Sequence, residues 1–389
     1  MTGRERWIKL LKGEKIDRVL INPFIWINSV YEFFKHEPKN FDDFLNPENF
    51  DLNKKSVEYF EYFNFDIRYH SLPIIYNNFC EKSDKNGKWV VTKKNEINDE
   101  KSIEITTIKT PEKELRQIKS FKHPSKYLWI EAPIEYFIKD SSDLNQFIKY
   151  QPSFIEKNID LEIIKRAKSA VGDKGILSIL IPGAYVLLSA YRKLDLLLMD
   201  PLLDRSFYME AMDHFINNIL KIYVKKIAEA GADLINIAGN VATGSAVGPK
   251  YFCNYVFEYE KQIVDLVHSL GKFVTYHNCG DTKGLLGDIY NGLRLDAFET
   301  LTPPPYGDTI FEEALEKFDR NVVLFGNIDQ VTFLREANPA EVKNKVKDIV
   351  IKGKNRGNFV LSTSDYFLDG TPYDNIRAFV EAGLEYGQY

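Results

Sequence analysis

His277 and Cys279 stand one residue apart in KFVTYHNCGD (272–281), where an apolar run gives way to a turn. An imidazole and a thiolate at that spacing can both aim at one ion. Zinc accepts the mixture, with Zn–S at ~2.3 Å and Zn–N at ~2.0 Å, and a catalytic zinc keeps three protein ligands and one open position. A third donor must therefore come from another part of the chain, which holds six histidines and three cysteines in 389 residues. Cys80 lies in a polar stretch and Cys253 in a helical pattern, and neither is placed to join the pair. Glu299 and Asp365, each near the end of a later apolar run, are the oxygen candidates. Gly280 behind the pair is expected to let the backbone turn sharply. The plainer alternative is a strand-end cysteine serving as a small buried hydrophobe.

These side chains can act together only if the elements carrying them converge. From about Gly175, six short apolar runs alternate with amphipathic segments: 175–184, 232–240, 272–280, 295–301, 321–329 and 358–365. Apolar strands separated by helices indicate parallel strands buried on both faces. Two further runs, RVLINPF (18–24) and FDIRYHS (65–71), bring the count to eight. Eight is the number that closes a (β/α)8 barrel, so an α/β TIM barrel is expected, with an N-terminal extension. A doubly wound open sheet is the competing topology. Segment 88–110 alternates and is polar, which predicts an inserted β-hairpin. Segment 111–174 reads as helices and loops. Residues 1–389 read as one domain, with no repeat beyond the βα period and no linker.

In such a barrel, chemistry sits at the C-terminal ends of the strands. The polar residues there are Asn22, His70, Asn240, His277, Cys279, Glu299, Asn327, Asp329, Ser362, Ser364 and Asp365. Asp329, Asn240 and Asn327 could orient a substrate or hydrogen-bond a ligand imidazole, or simply cap strand ends. Tyr276 and the aromatic run FIWINSVYEFF could line an apolar pocket, or belong to the core. His70, His123, His214 and His268 carry no spacing signal and read as structural or surface residues.

Composition narrows the field. The chain is 44% hydrophobic and 28% charged, with a formal net charge of −5. No basic block suggests nucleic acid, and no run approaches the ~20 apolar residues of a membrane span. The opening helix, charged and amphipathic, is no signal peptide. Three scattered cysteines build no disulfide framework, and a reducing cytoplasm is the expected compartment. Nothing in the pattern sets the oligomeric state, and a homodimer stays open.

Several segments taken together resemble the uroporphyrinogen decarboxylase superfamily: RERWIKLLKGEKIDRVLINPF at the start, ETLTPPPYGD (299–308), GNID (326–329) and DGTPYDNIRAFVEAG (369–383). The resemblance implies a (β/α)8 barrel and one of two chemistries. True uroporphyrinogen decarboxylases carry an arginine-rich segment after the first strand. Here that region, FIWINSVYEFFK, is aromatic and contains no arginine. The other branch comprises zinc-dependent, corrinoid-linked methyltransferases, similar to methylcobalamin:coenzyme M methyltransferases and O-demethylases. There a His-x-Cys at a strand end supplies two zinc ligands, and His277 and Cys279 match it. The coenzyme M enzymes take a third ligand, a cysteine, from the last strand before a Thr-Pro. Counting back from Thr371-Pro372 reaches Ser364-Asp365 instead.

The resemblance therefore implies a methyl group moved between a small methylated substrate, such as a methoxylated aromatic, and a corrinoid (cobalamin) carried by a partner protein. Zn2+ would be held by His277, Cys279 and an oxygen from Asp365 or Glu299. An oxygen ligand makes a harder Lewis acid, which suits an oxygen leaving group. Asp329 and Asn240 are the expected catalytic residues, Tyr276 and Asn327 the substrate-binding ones. A metal-free decarboxylase of a small carboxylic acid, with Asp329 or Asp365 as the acid, is one rival. A non-catalytic corrinoid- or tetrapyrrole-binding protein is the other.

Overall fold

The computed structural model describes residues 1–71, 82–97, 102–152, 161–282 and 284–389, and Cys80 lies outside the described residues. Twelve strands are present among them: β1 (Leu20–Ile21), β2 (Ile67–Ser71), β3 (Val90–Ile97), β4 (Ser102–Lys109), β5 (Glu114–Ser125), β6 (Leu128–Glu135), β7 (Gly175–Pro182), β8 (Leu234–Ala238), β9 (Phe273–His277), β10 (Ala297–Glu299), β11 (Val323–Ile328) and β12 (Phe359–Thr363). All eight predicted runs form strands. They make one parallel sheet in the order β1-β12-β11-β10-β9-β8-β7-β2.

Asp66, just before β2, closes this sheet into a barrel. Its backbone N–H donates to the Ile21 carbonyl at 2.8 Å, and its carboxylate accepts from the Ile21 N–H at 2.8 Å. Arg18 grips the same carboxylate at 2.6 and 2.9 Å. The fold is thus the expected (β/α)8 barrel, with helices on its outside.

The barrel interior is layered. At its N-terminal end Leu20, Ile176, Leu234, Ala297, Val323, Phe325 and Val360 form an apolar floor with Trp7, Leu10, Leu11 and Ile16. Three of these last residues come from the helix Gly3–Leu11, which Thr2 and Glu5 start with a capping box. Two residues further along the strands the inward positions turn polar: Asn22, Arg68, Ser178, Asn236, Thr275, Glu299 and Ser362 are each at most 1% exposed. A buried polar layer is costly unless its members satisfy one another.

One expectation needs correction. The inserted hairpin does pair, with β3 and β4 antiparallel from Val90↔Lys109 to Ile97↔Ser102. It continues into β5 and β6, however, giving a four-stranded antiparallel sheet where helices and loops were expected from residue 111. In β5 the buried positions Leu115, Gln117 and Lys119 alternate with exposed or half-buried ones. Two of those three are polar, so hydrophobic alternation does not reveal the strand.

Candidate metal centre at the barrel mouth

His277 is the last residue of β9, and Cys279 follows in a turn held on both sides. The Asn278 N–H donates to the Glu299 carbonyl at 2.7 Å, and its side-chain amide donates to the Tyr290 hydroxyl at 2.7 Å. The Asn278 side-chain oxygen accepts from the Gly280 N–H at 3.1 Å. The backbone bends at Gly280 as expected, though without a positive φ. Its missing Cβ is required by packing, since one would come within 2.7 Å of the Thr243 side chain.

Donor atoms of His277, Cys279 and Asp365 lie within 4.8 Å of one another. Asp365 is half-buried just past β12, and its carboxylate accepts from the Tyr366 N–H at 2.8 Å. Burial pushes this carboxyl up, partly opposed by His277. Imidazole, thiol and carboxylate are a donor set that zinc accepts.

Glu299 stands behind this group. Its Oε1 accepts from His277 Nδ1 at 3.0 Å and from the Asn236 amide at 2.7 Å, and its Oε2 accepts from the Arg68 guanidinium at 2.5 Å. Arg68 also donates to Asn22 Oδ1 at 2.9 Å and lies over the Phe325 ring, 4.3 Å from its centroid. Burial alone would raise the Glu299 pKa. Arg68 and the His277 bond outweigh it and hold this carboxyl well below the usual carboxylate range. For His277 burial disfavours the cation, but Cys279 and Glu299 prevail and raise its pKa well above the ordinary imidazole value. With Nδ1–H donated to Glu299, Nε2 is the nitrogen an ion would take in place of its proton, an arrangement common to metal-ligating histidines.

The other expected site residues have different surroundings. Tyr276 neighbours His277 on the strand and so points to the opposite face. Its ring is fully buried beside Tyr290 and Phe298 and rests on Gly239, where a Cβ would meet it at 2.3 Å. The Asp329 carboxylate accepts from the N–H groups of Val331, Thr332 and Phe333 at 2.8–3.2 Å and caps that turn. Asn327 is buried on β11 beside Ser362 of β12. Asn240 is exposed in the turn after β8. Cys253 is exposed on a helix of the outer layer.

Arg68, Asn236 and Phe24 were not singled out in the sequence, and His70 was set aside as structural. Only the period of two along β2 and β8 could have pointed Arg68 and Asn236 inward. Phe24 touches both histidines, its ring 4.9 Å from that of His70 and 5.0 Å from that of His277. Trp26 stacks on Phe24 at 6.3 Å and reaches Tyr366 at 6.3 Å, so an aromatic wall flanks the mouth.

A buried carboxylate orienting a strand-end histidine beside a thiol and a second carboxylate, at the C-terminal mouth of a (β/α)8 barrel, defines a class of site. The chain belongs to the uroporphyrinogen decarboxylase (URO-D) family, which matches residues 134–386, well over half of its length. It is 26% identical over 180 residues to the methylcobamide:CoM methyltransferase MtbA of Methanosarcina acetivorans, covering 45% of this chain and 49% of that protein. Against the uroporphyrinogen decarboxylase of Prochlorococcus marinus it is 24% identical over 176 residues, or 44% and 46% of the two chains. The chain spans about half the length of the curated relatives it matches. A solved methyltransferase from Methanosarcina mazei shares the fold over 99% of both chains, with a TM-score of 0.68 at 16% identity. No helix among the described residues is long and apolar enough to cross a membrane.

Proposed function

We propose that this chain is a methyltransferase that moves a methyl group between a small methylated substrate and a corrinoid carried by a partner protein, using a zinc ion held by His277, Cys279 and Asp365. The observation that carries this reading is the meeting of those three donor groups at the barrel mouth. The similarity to methylcobamide:CoM methyltransferases supports it. Of the two oxygen candidates, Asp365 is the third ligand in this reading, because both oxygens of Glu299 already serve Arg68, Asn236 and His277. Zinc bound there would supply Lewis acidity, worth several kcal/mol when charge develops on a substrate heteroatom.

The protein's own contribution is positioning. Glu299 fixes the ring of His277 and its tautomer, and the Asn278 turn sets Cys279 beside it. Phe24, Trp26 and Tyr366 line the mouth with aromatic rings. One thiolate and one carboxylate make a harder site than two thiolates, which favours an oxygen-bound methyl donor. Metal analysis and an assay of methyl transfer from methoxylated compounds to cob(I)alamin test the proposal. About one zinc per chain and methylcobalamin formation are expected, and both should be lost in Cys279→Ala. A variant that keeps its zinc and its turnover would refute it. Carbon dioxide release from a carboxylic acid without any corrinoid would favour the decarboxylase alternative.

A further inference from the structure

His70 is the inward residue at the end of β2, two positions beyond Arg68. It is 5% exposed, and neither ring nitrogen has a hydrogen-bond partner among the described residues. Buried polar groups are nearly always paired, and an orphan calls for an explanation. Leaving one unsatisfied costs about 1–3 kcal/mol. Here two ring nitrogens are orphaned on one residue, beside the candidate metal centre. Burial, reinforced by the neighbouring Arg68, keeps the imidazole well below its ordinary pKa and therefore neutral. A neutral imidazole offers one donor and one acceptor. His70 also borders a cleft of about 790 Å³, whose walls include Ile27, Phe50, Leu52, Asn53 and Tyr69.

We propose that His70 is a specificity-determining residue that hydrogen-bonds an uncharged hydroxyl or carbonyl oxygen on the far side of an aromatic methyl donor. The inference rests on the proposed function for the direction of the substrate, and on the orphaned ring of His70 for its own site. The Phe24 ring touches both His70 and His277, so an aromatic donor stacked on Phe24 would meet one histidine with its methoxy oxygen and the other with a second substituent.

Calorimetric titration with 4-methoxyphenol and with anisole, which lacks only the para hydroxyl, tests the assignment without any turnover. The wild-type protein should bind 4-methoxyphenol roughly tenfold more tightly, the value of one neutral hydrogen bond. His70→Phe should abolish the preference by weakening 4-methoxyphenol alone, and His70→Gln, which retains a donor and an acceptor, should restore part of it. A general packing role for His70 would move both ligands together. Equal affinities in the wild type, no binding of either compound, or a preference surviving in His70→Phe would each overturn the proposal. Loss of zinc or of methyl transfer would defeat the proposed function while leaving this ratio intact.

Discussion

Glu299 is the residue on which the candidate site turns, because one carboxylate serves His277, Asn236 and Arg68. Replacing it with Gln leaves the Arg68 guanidinium unpaired at 0% exposure. Breaking one side of a buried pair typically costs about 3–5 kcal/mol, measurable as a lower denaturant midpoint. Zinc affinity should fall about 10–100-fold by chelator competition, since the support of the ligand imidazole is lost. The double variant Arg68→Met/Glu299→Gln should recover much of the stability but not the zinc affinity. An unchanged zinc affinity in Glu299→Gln would remove the positioning role.

Within the candidate site, His277 and Cys279 were the most legible residues, because a strand-end His-x-Cys can be located without knowing side-chain directions, whereas the oxygen donor stayed open between Glu299 and Asp365. Arg68 and Asn236 were not legible, because they stand mid-strand, where a polar residue shows its purpose only after the barrel's interior layers are assembled. Tyr276 shows the same limit in reverse: next to a site residue in sequence, it faces the other way.

Among the elements, the eight barrel strands were readable as apolar runs bounded by turn residues, since strands covered on both faces cannot hide their burial. The four-stranded insertion was readable only in its first half. β4 alternates Ile with Glu and Thr, whereas β5 buries Gln117 and Lys119 and so lacks an apolar stripe. The opening helix shows how a distant element reaches the site. Trp7 stacks on Phe325 at 5.9 Å, and Phe325 in turn carries the guanidinium of Arg68. Trp7→Ala should cost about 3–5 kcal/mol through the cavity it opens in the floor. Thermal unfolding would register this as a clear fall in Tm. Zinc content below the transition should persist, because the polar layer lies above that floor. Loss of zinc at temperatures where the variant is still folded would show that the floor and the site are coupled.

At the scale of the whole molecule, stability should fall on mild acidification, and His214 identifies one cause. Its ring is 9% exposed in the outer helical layer, with Nε2 2.7 Å from Gln151 Oε1 and Nδ1 3.1 Å from the Asn218 amide nitrogen. Those partners select the neutral tautomer, in which Nε2–H donates to Gln151 and Nδ1 accepts from Asn218. A second proton would set an N–H against the Asn218 amide donor. Burial lowers the pKa of His214 from 6.5 to about 4. Because the folded value lies below the unfolded one, the unfolded chain binds the extra proton first as pH falls. The contribution is therefore whole above pH 6.5 and is lost progressively toward pH 4. At 1.36 kcal/mol per pKa unit the loss amounts to at most about 3 kcal/mol. His214→Gln cannot titrate, so its urea midpoint should change less than that of the wild type between pH 6.5 and 4. Parallel pH profiles for the two proteins would show that His214 carries none of the acid sensitivity.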